Sequence, residues 1–394
     1  MFNSDALASQ SRDHFPGTFF PFVQQTQERW KRCVFLSSPS SWKATTEGTN
    51  VTFTRIVSYI FKADTYMSIL RGQPPSIYWD ELDISLPQTF AQSNADGLDV
   101  YYKRMPYEPT DRPDYKSLAL ATCSTQNTPS VLLVEDILLG LCQLYQMVWR
   151  CNQLCCQDTM DTHPTADVSE SLLSQLDSWK SQLDKIVVLC ITQAQQDSLE
   201  LPLRAYCGFE DESEPGWKML VLERVQSLSR EASMLYHLLS LQIHISKHSK
   251  LSELLLSDSG MASIENGIQL DWVSGWRQSK DARKILAHSV AITRTLELAL
   301  LEEKPRDRFM PSPITSLAFS ISRNVLRIWS ASPEGACTCN RQEIHTDLDL
   351  NSSGLYRGSE LHEWFENGGP PQVSGSPFCK CAGEMWFMRV EPLL

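Results

Sequence analysis

The chain has 394 residues, a formal net charge of −12, 42% hydrophobic residues and only 17 Gly. That apolar share is enough for a substantial core and excludes a mostly disordered chain. The acidic balance argues against a dedicated nucleic-acid surface, which needs clustered Lys and Arg. No apolar run approaches the roughly 20 residues that span a bilayer.

Residues 1–24 are polar and mixed in charge and read as a flexible N-terminal segment, without the basic end and apolar core of a secretory signal. The cytosol or nucleus is therefore expected. Helical periodicity then dominates. The first predicted helix runs from Phe53 to Leu70, with Ile56, Ile60, Met67 and Leu70 on one side. Gly72, Pro74 and Pro75 stop it, because Gly accepts the left-handed cap and Pro cannot continue the ladder. Residues 48–54, Gly-containing and β-branched, fit a helix poorly. The second helix spans Ser130 to Cys156, with Val134, Ile137, Leu141, Leu144, Val148 and Cys155 as its stripe; Glu135 and Asp136 lie in its first turns, where the helix dipole favours anions.

A third helix covers about Val168 to Gln193, where Leu172, Leu176, Trp179, Leu183, Ile186 and Cys190 make one apolar face. The fourth is the longest, Trp217 to about Lys250, lined on one side by Val221, Val225, Leu228, Ala232, Leu235, Leu239 and Ile243. The fifth, Asp281 to Glu303, carries Ile285, Ile292, Leu296, Ala299 and Leu300, and the sixth, after Pro313, carries Leu317, Ile321, Val325, Ile328 and Trp329. Strand signals are weak. The expectation is one large all-α domain over residues 25–335, followed by a Gly- and Pro-rich, loop-rich tail over 336–394 with a short helix near Glu384 to Val390.

Phosphate-binding loops, the G-x-S-x-G nucleophile elbow and H-E-x-x-H are all absent. Asp80, Glu81 and Asp83, and separately Asp158 and Asp161, read as solvated loop carboxylates rather than metal ligands. His237, His244 and His248 share one helical face; imidazoles four apart can ligate a metal, but the plainer expectation is the polar edge of a long helix. Of the 12 cysteines, four lie inside helical apolar patterns and read as small core residues. Cys337 with Cys339 and Cys379 with Cys381 form two C-x-C pairs that would make a four-thiolate zinc site if they met in space, with free tail thiols as the plainer reading. Leu235, Leu238 and Leu239 match a leucine motif that docks in coactivator grooves, although their stripe position suits core packing. A ligand pocket, if present, is expected between helices near Trp149, Trp179, Tyr236 and Trp329.

One segment is specific. Residues 55–87 resemble the signature of the fungal-specific transcription factor domain, the middle homology region of fungal zinc-cluster and zinc-finger regulators. Arg55, Phe61, Asp64 and Ser68 match its helix, Gly72, Pro74 and Pro75 its turn, and Leu82, Leu86 and Pro87 the stretch that follows. Residues 303–311, with the helix to Trp329, look like the late part of the same domain. The resemblance implies a nuclear, non-catalytic, all-α regulatory module of RNA polymerase II-type transcription. Its implied partners are transcription machinery or coregulator proteins, with a possible homodimer and a possible small-molecule effector. The family's zinc module is not found in this chain, so no cofactor is expected here, zinc belongs to a full-length relative's module, and DNA would be reached only indirectly. The rival expectations are an all-α enzyme of secondary metabolism and a non-catalytic interaction scaffold dimerising through the helix at 217–250.

Overall fold

The computed structural model describes residues 47–330, apart from 83, 96–97, 111, 119–131, 158–163, 196–201, 209, 211–214, 257–270, 278 and 303–311. Its helices are α1 (Glu47–Arg71), α2 (Phe90–Ser93), α3 (Leu98–Arg104), α4 (Val134–Gln157), α5 (Pro164–Ala194), α6 (Trp217–Ser246), α7 (Ser249–Leu256), α8 (Asp271–Arg277), α9 (Lys280–Glu302) and α10 (Pro313–Ser330). Short 3-10 turns lie at Trp79–Glu81, Met105–Tyr107 and Leu203–Tyr206. Among the described residues the one strand-like feature is an isolated antiparallel bridge between Ser85 and Asp114. The all-α expectation is met, and no described helix is long and apolar enough to cross a membrane.

α6 is the hub: it packs against α4, α5 and α9, while α10 joins α9 to α1 and α1 leans on α4. Between Met234 and Leu241 every residue of α6 is buried, which corrects the expectation of a one-sided stripe. A helix enclosed on all sides must be apolar, or internally satisfied, around its whole circumference. It also ends at Ser246, and the chain restarts as α7, so the expected single helix to Lys250 is two. The same enclosure removes the middle of this helix as a dimerisation face. Leu235, Leu238 and Leu239 are core residues.

α5 follows its reading closely, with Leu172, Leu176, Trp179, Leu183, Ile186 and Cys190 all buried. The buried residues Leu144 and Val148 of α4, Ile285 and Ile292 of α9 and Val325 and Ile328 of α10 likewise fall on the expected stripes. α1 differs. Its buried face carries Val57, Phe61, Tyr66 and Ile69 with Thr54, Ser58, Thr65 and Ser68, whereas Ile56 is exposed and Ile60, Met67 and Leu70 are half-buried. Adjacent apolar pairs, such as Ile56–Val57 and Ile60–Phe61, allow two phases of the helical period, and packing on α4 selects one. α1 also begins at Glu47, so residues 48–54 are helical after all. Extending a nucleated helix adds one hydrogen bond per residue, and β-branched residues cost only a few tenths of a kcal/mol each.

The N-terminal segment, the tail with Cys337, Cys339, Cys379 and Cys381, and the carboxylates Asp83, Asp158 and Asp161 lie outside the described residues, as do residues 303–311. Cys142, Cys151 and Cys190 are free, buried thiols inside helices, and Cys207 is buried beside the third turn. Burial pushes the Cys142 and Cys190 thiols up to about 12.

Candidate functional site

The residues of the 55–87 segment assemble into one connected structure at the end of α1. Gly72 adopts φ +60°, which a Cβ would strain. The Gln73 N–H donates to the Ser68 carbonyl at 3.2 Å and the Gly72 N–H to the Ile69 carbonyl at 3.4 Å, so the helix closes in a Schellman cap. The chain then turns back, and Asp64 Oδ2 accepts the backbone N–H groups of Ser76 (2.7 Å) and Ile77 (2.9 Å). The carboxylate therefore caps the returning loop of its own segment rather than a neighbouring helix. Ser68 Oγ donates to the Gln73 carbonyl and lies within hydrogen-bond distance, 3.1 Å, of Tyr145 Oη of α4. Gln146 of α4 donates to the Ile77 carbonyl at 2.8 Å.

The remaining signature residues bind the same unit. Arg55 pairs with Glu135 of α4 at 3.6 Å, and Phe61 meets Tyr115 edge-on with ring centroids 5.9 Å apart. Pro75, Leu82, Leu86 and Pro87 are buried, and Pro74 is exposed. The Pro87 carbonyl accepts a hydrogen bond from Arg112, whose guanidinium also pairs with Asp136. Asp136 accepts the Leu133 N–H at 2.9 Å, closing the start of α4. Dipole and cap act together there, as the first-turn acids suggest.

A second cluster was not legible in advance. His237 and His244 are not a polar edge: both are buried against His288, which α9 supplies. His237 Nδ1 and His288 Nδ1 are 3.0 Å apart. One proton must lie between them, so in the neutral pair one ring is the Nδ1–H tautomer and the other the Nε2–H tautomer. The His244 and His288 rings stack at 6.0 Å, and the Tyr236 ring lies edge-on to His237 at 4.8 Å. His244 Nδ1 lies 3.2 Å from Asp281 Oδ1, and His248 Nε2 stands 3.6 Å from the other carboxylate oxygen. Burial holds His237 and His288 well below the usual imidazole range, with Lys180 opposing protonation of His237 and the other two rings that of His288. Burial also lowers His244, against the pull of Asp281. Asp281, contacted by His244 and then His248, is held well below the carboxylate range. His237, His288 and His244 therefore stand as neutral imidazoles beside an ionised carboxylate. Among the described residues no group of three or more His, Cys, Asp or Glu has the geometry to hold a metal.

Among the described residues, two cavities away from these clusters are well defined. The larger, about 230 Å³, sits between α2, α3 and the turns Met105–Tyr107 and Leu203–Tyr206. Lys103, Arg104, Arg204, Glu108 and Glu210 face it. The smaller, about 150 Å³, opens between α6, α9 and the start of α10, beside Glu231. Glu231 accepts hydrogen bonds from Tyr66 Oη (2.8 Å) and Lys62 Nζ (3.3 Å).

The four aromatic residues expected near a pocket are dispersed. Trp179 is buried against Gly140 of α4, where an added Cβ would lie 3.0 Å from the indole. Tyr236 donates its hydroxyl to Asp177 Oδ1 at 2.7 Å, Trp149 is half-buried against the core, and Trp329 meets Trp276 edge-on at 6.3 Å. Neither cavity is lined by any of them. The larger cavity was missed because its walls come from short elements whose cationic residues carry no periodic signal.

Fold and sites together define an all-α protein with a laced first helix, a buried imidazole cluster and a cationic cavity. No family model, curated protein or solved structure matches this chain.

Proposed function

We propose that this chain is the helical regulatory module of a transcription regulator of the fungal zinc-cluster kind, acting in the nucleus without catalysing a reaction. It works through contacts with coregulator proteins or by responding to a small molecule. The supporting observation is that the residues matching the family signature are used together. Gly72 ends α1, Asp64 caps the returning loop, and Ser68 ties that loop to α4, while Pro75, Leu82, Leu86 and Pro87 are buried beneath it.

The test is to fuse the full chain to a heterologous DNA-binding domain in a fungal cell carrying the matching reporter. The expected result is nuclear accumulation and a several-fold change in reporter output, in either direction. A reporter unmoved by the tethered chain, with the chain excluded from the nucleus, overturns the reading. Tight sequence-specific DNA binding by the chain alone in a mobility-shift assay would overturn its indirect relation to DNA.

A further inference from the structure

We infer that the cavity between α2, α3 and the Leu203–Tyr206 turn binds a small organic carboxylate of about the size of benzoate. Size comes first. A buried cavity of about 150 Å³ accommodates benzene. In proportion, the 230 Å³ here admits roughly nine non-hydrogen atoms, the count in benzoate.

Charge selects an anion. Of the two acids at the wall, Glu210 is paired with a cation from behind, while Glu108 is held by neutral donors with a cation only at 4.0 Å. Glu108 accepts the Thr89 N–H at 2.9 Å and the Thr89 hydroxyl at 2.7 Å, with Arg112 at 4.0 Å. Glu210 pairs with Arg224 and accepts the Gly208 N–H. These bonds outweigh its burial and hold its carboxyl below the usual range.

Three cations thus face one acid, Glu108, that lacks a close cation of its own. Arg104 donates to the carbonyls of Ala91 (2.7 Å) and Gly208 (2.6 Å), neutral acceptors that position its guanidinium without cancelling its charge. Arg204 lies 3.4 Å over the Tyr107 ring. Stacking occupies the face of the guanidinium and leaves its N–H edge free for the two-pronged bond a carboxylate accepts. Among the described residues Lys103 makes no ion pair. A chain with a formal net charge of −12 thus gathers positive potential at one concave place, where low-dielectric walls focus it. Ala91, Val100 and Ala205 supply an apolar wall for the ligand's body.

Entry has a structural basis. None of the residues of α3 is buried, and Leu98 at its start is 73% exposed. A short helix with so little buried surface shifts at small cost.

Binding itself is independent of the regulatory reading; the claim that the bound acid is an effector rests on it. The two separate in experiment. Saturation-transfer NMR on the full chain with benzoate, and with its neutral isostere benzamide, should show benzoate binding at least tenfold more tightly. Arg204→Gln should weaken benzoate tenfold or more. Lys103→Gln, at an exposed site with no ion pair to lose, should weaken it several-fold while leaving the far-UV circular dichroism unchanged. Absence of benzoate binding at about 10 mM, a range in which even a millimolar site saturates, overturns the inference. So does equal binding of benzamide, or wild-type affinity in both variants. A chain that binds benzoate but leaves the tethered reporter unmoved keeps the site and loses the regulator.

Discussion

Acidification between pH 7.5 and 5.5 should destabilise this protein through the buried imidazoles. His237 and His288 have folded-state values well below their ordinary 6.5, because burial excludes the charged form. A base lowered in this way binds fewer protons folded than unfolded. Its contribution is complete above the unfolded value and is lost as pH falls from there toward the folded value. Each such group changes stability by at most about 1.36 kcal/mol per pH unit, so the pair supplies up to about 2.7 kcal/mol per pH unit below pH 6.5.

The surrounding charges reinforce this. Lys180 of α5 opposes protonation of His237, and Lys284 of α9 that of His288. His244 adds a smaller contribution because Asp281 opposes its shift. Asp281 itself is lost only below the ordinary carboxylate range, outside this window. Glu135, Asp136 and Asp177 run the other way: burial raises them, so the penalty for ionising them is relieved as pH falls. The difference between wild type and variants isolates the imidazoles. Urea unfolding followed by far-UV circular dichroism at fixed ionic strength should give a slope that is reduced in His288→Gln and reduced further in the His237→Gln/His288→Gln double variant, leaving the contributions of His244 and the buried carboxylates. An unchanged slope in the double variant would refute the reasoning.

Three further outcomes are expected. Gly140→Ala should be destabilising by about 1–3 kcal/mol in thermal or urea unfolding, although Ala is favoured by about 1 kcal/mol within a helix, because its Cβ meets the Trp179 indole at 3.0 Å; the perturbation should also appear in tryptophan fluorescence. Asp64→Ala should cost about 2–4 kcal/mol, since two backbone N–H groups lose a charged acceptor, and proteolysis of the chain near Ser76 should accelerate. Cys142 and Cys190, each raised by burial to about 12, should stay unreactive toward a thiol reagent at pH 8 until denaturant opens the core.

The legible and illegible parts divide along physical lines. α5 was readable nearly to the residue because its apolar positions recur at three and four from Leu172 to Cys190, which marks one face to bury. The end of α1 was readable because Gly72 and the two prolines act locally, whatever packs nearby. α1's buried face lies on nearly the opposite side of the helix from the expected stripe, since paired apolar residues permit two phases. The histidine cluster was half visible: His237 and His244 showed their shared face, while His288 and Asp281 arrive from a helix more than thirty residues away.

Local spacing alone thus determines that this chain is helical, where most of its helices begin and end, and which residues can share a face. Tertiary structure decides which face is buried, that α6 is enclosed on all sides from Met234 to Leu241, which ring shares a proton with His237, and where Arg104 and Arg204 meet around one cavity. Periodicity and capping are properties of neighbours along the chain. Burial, tautomer and charge balance belong to whatever element packs across from them.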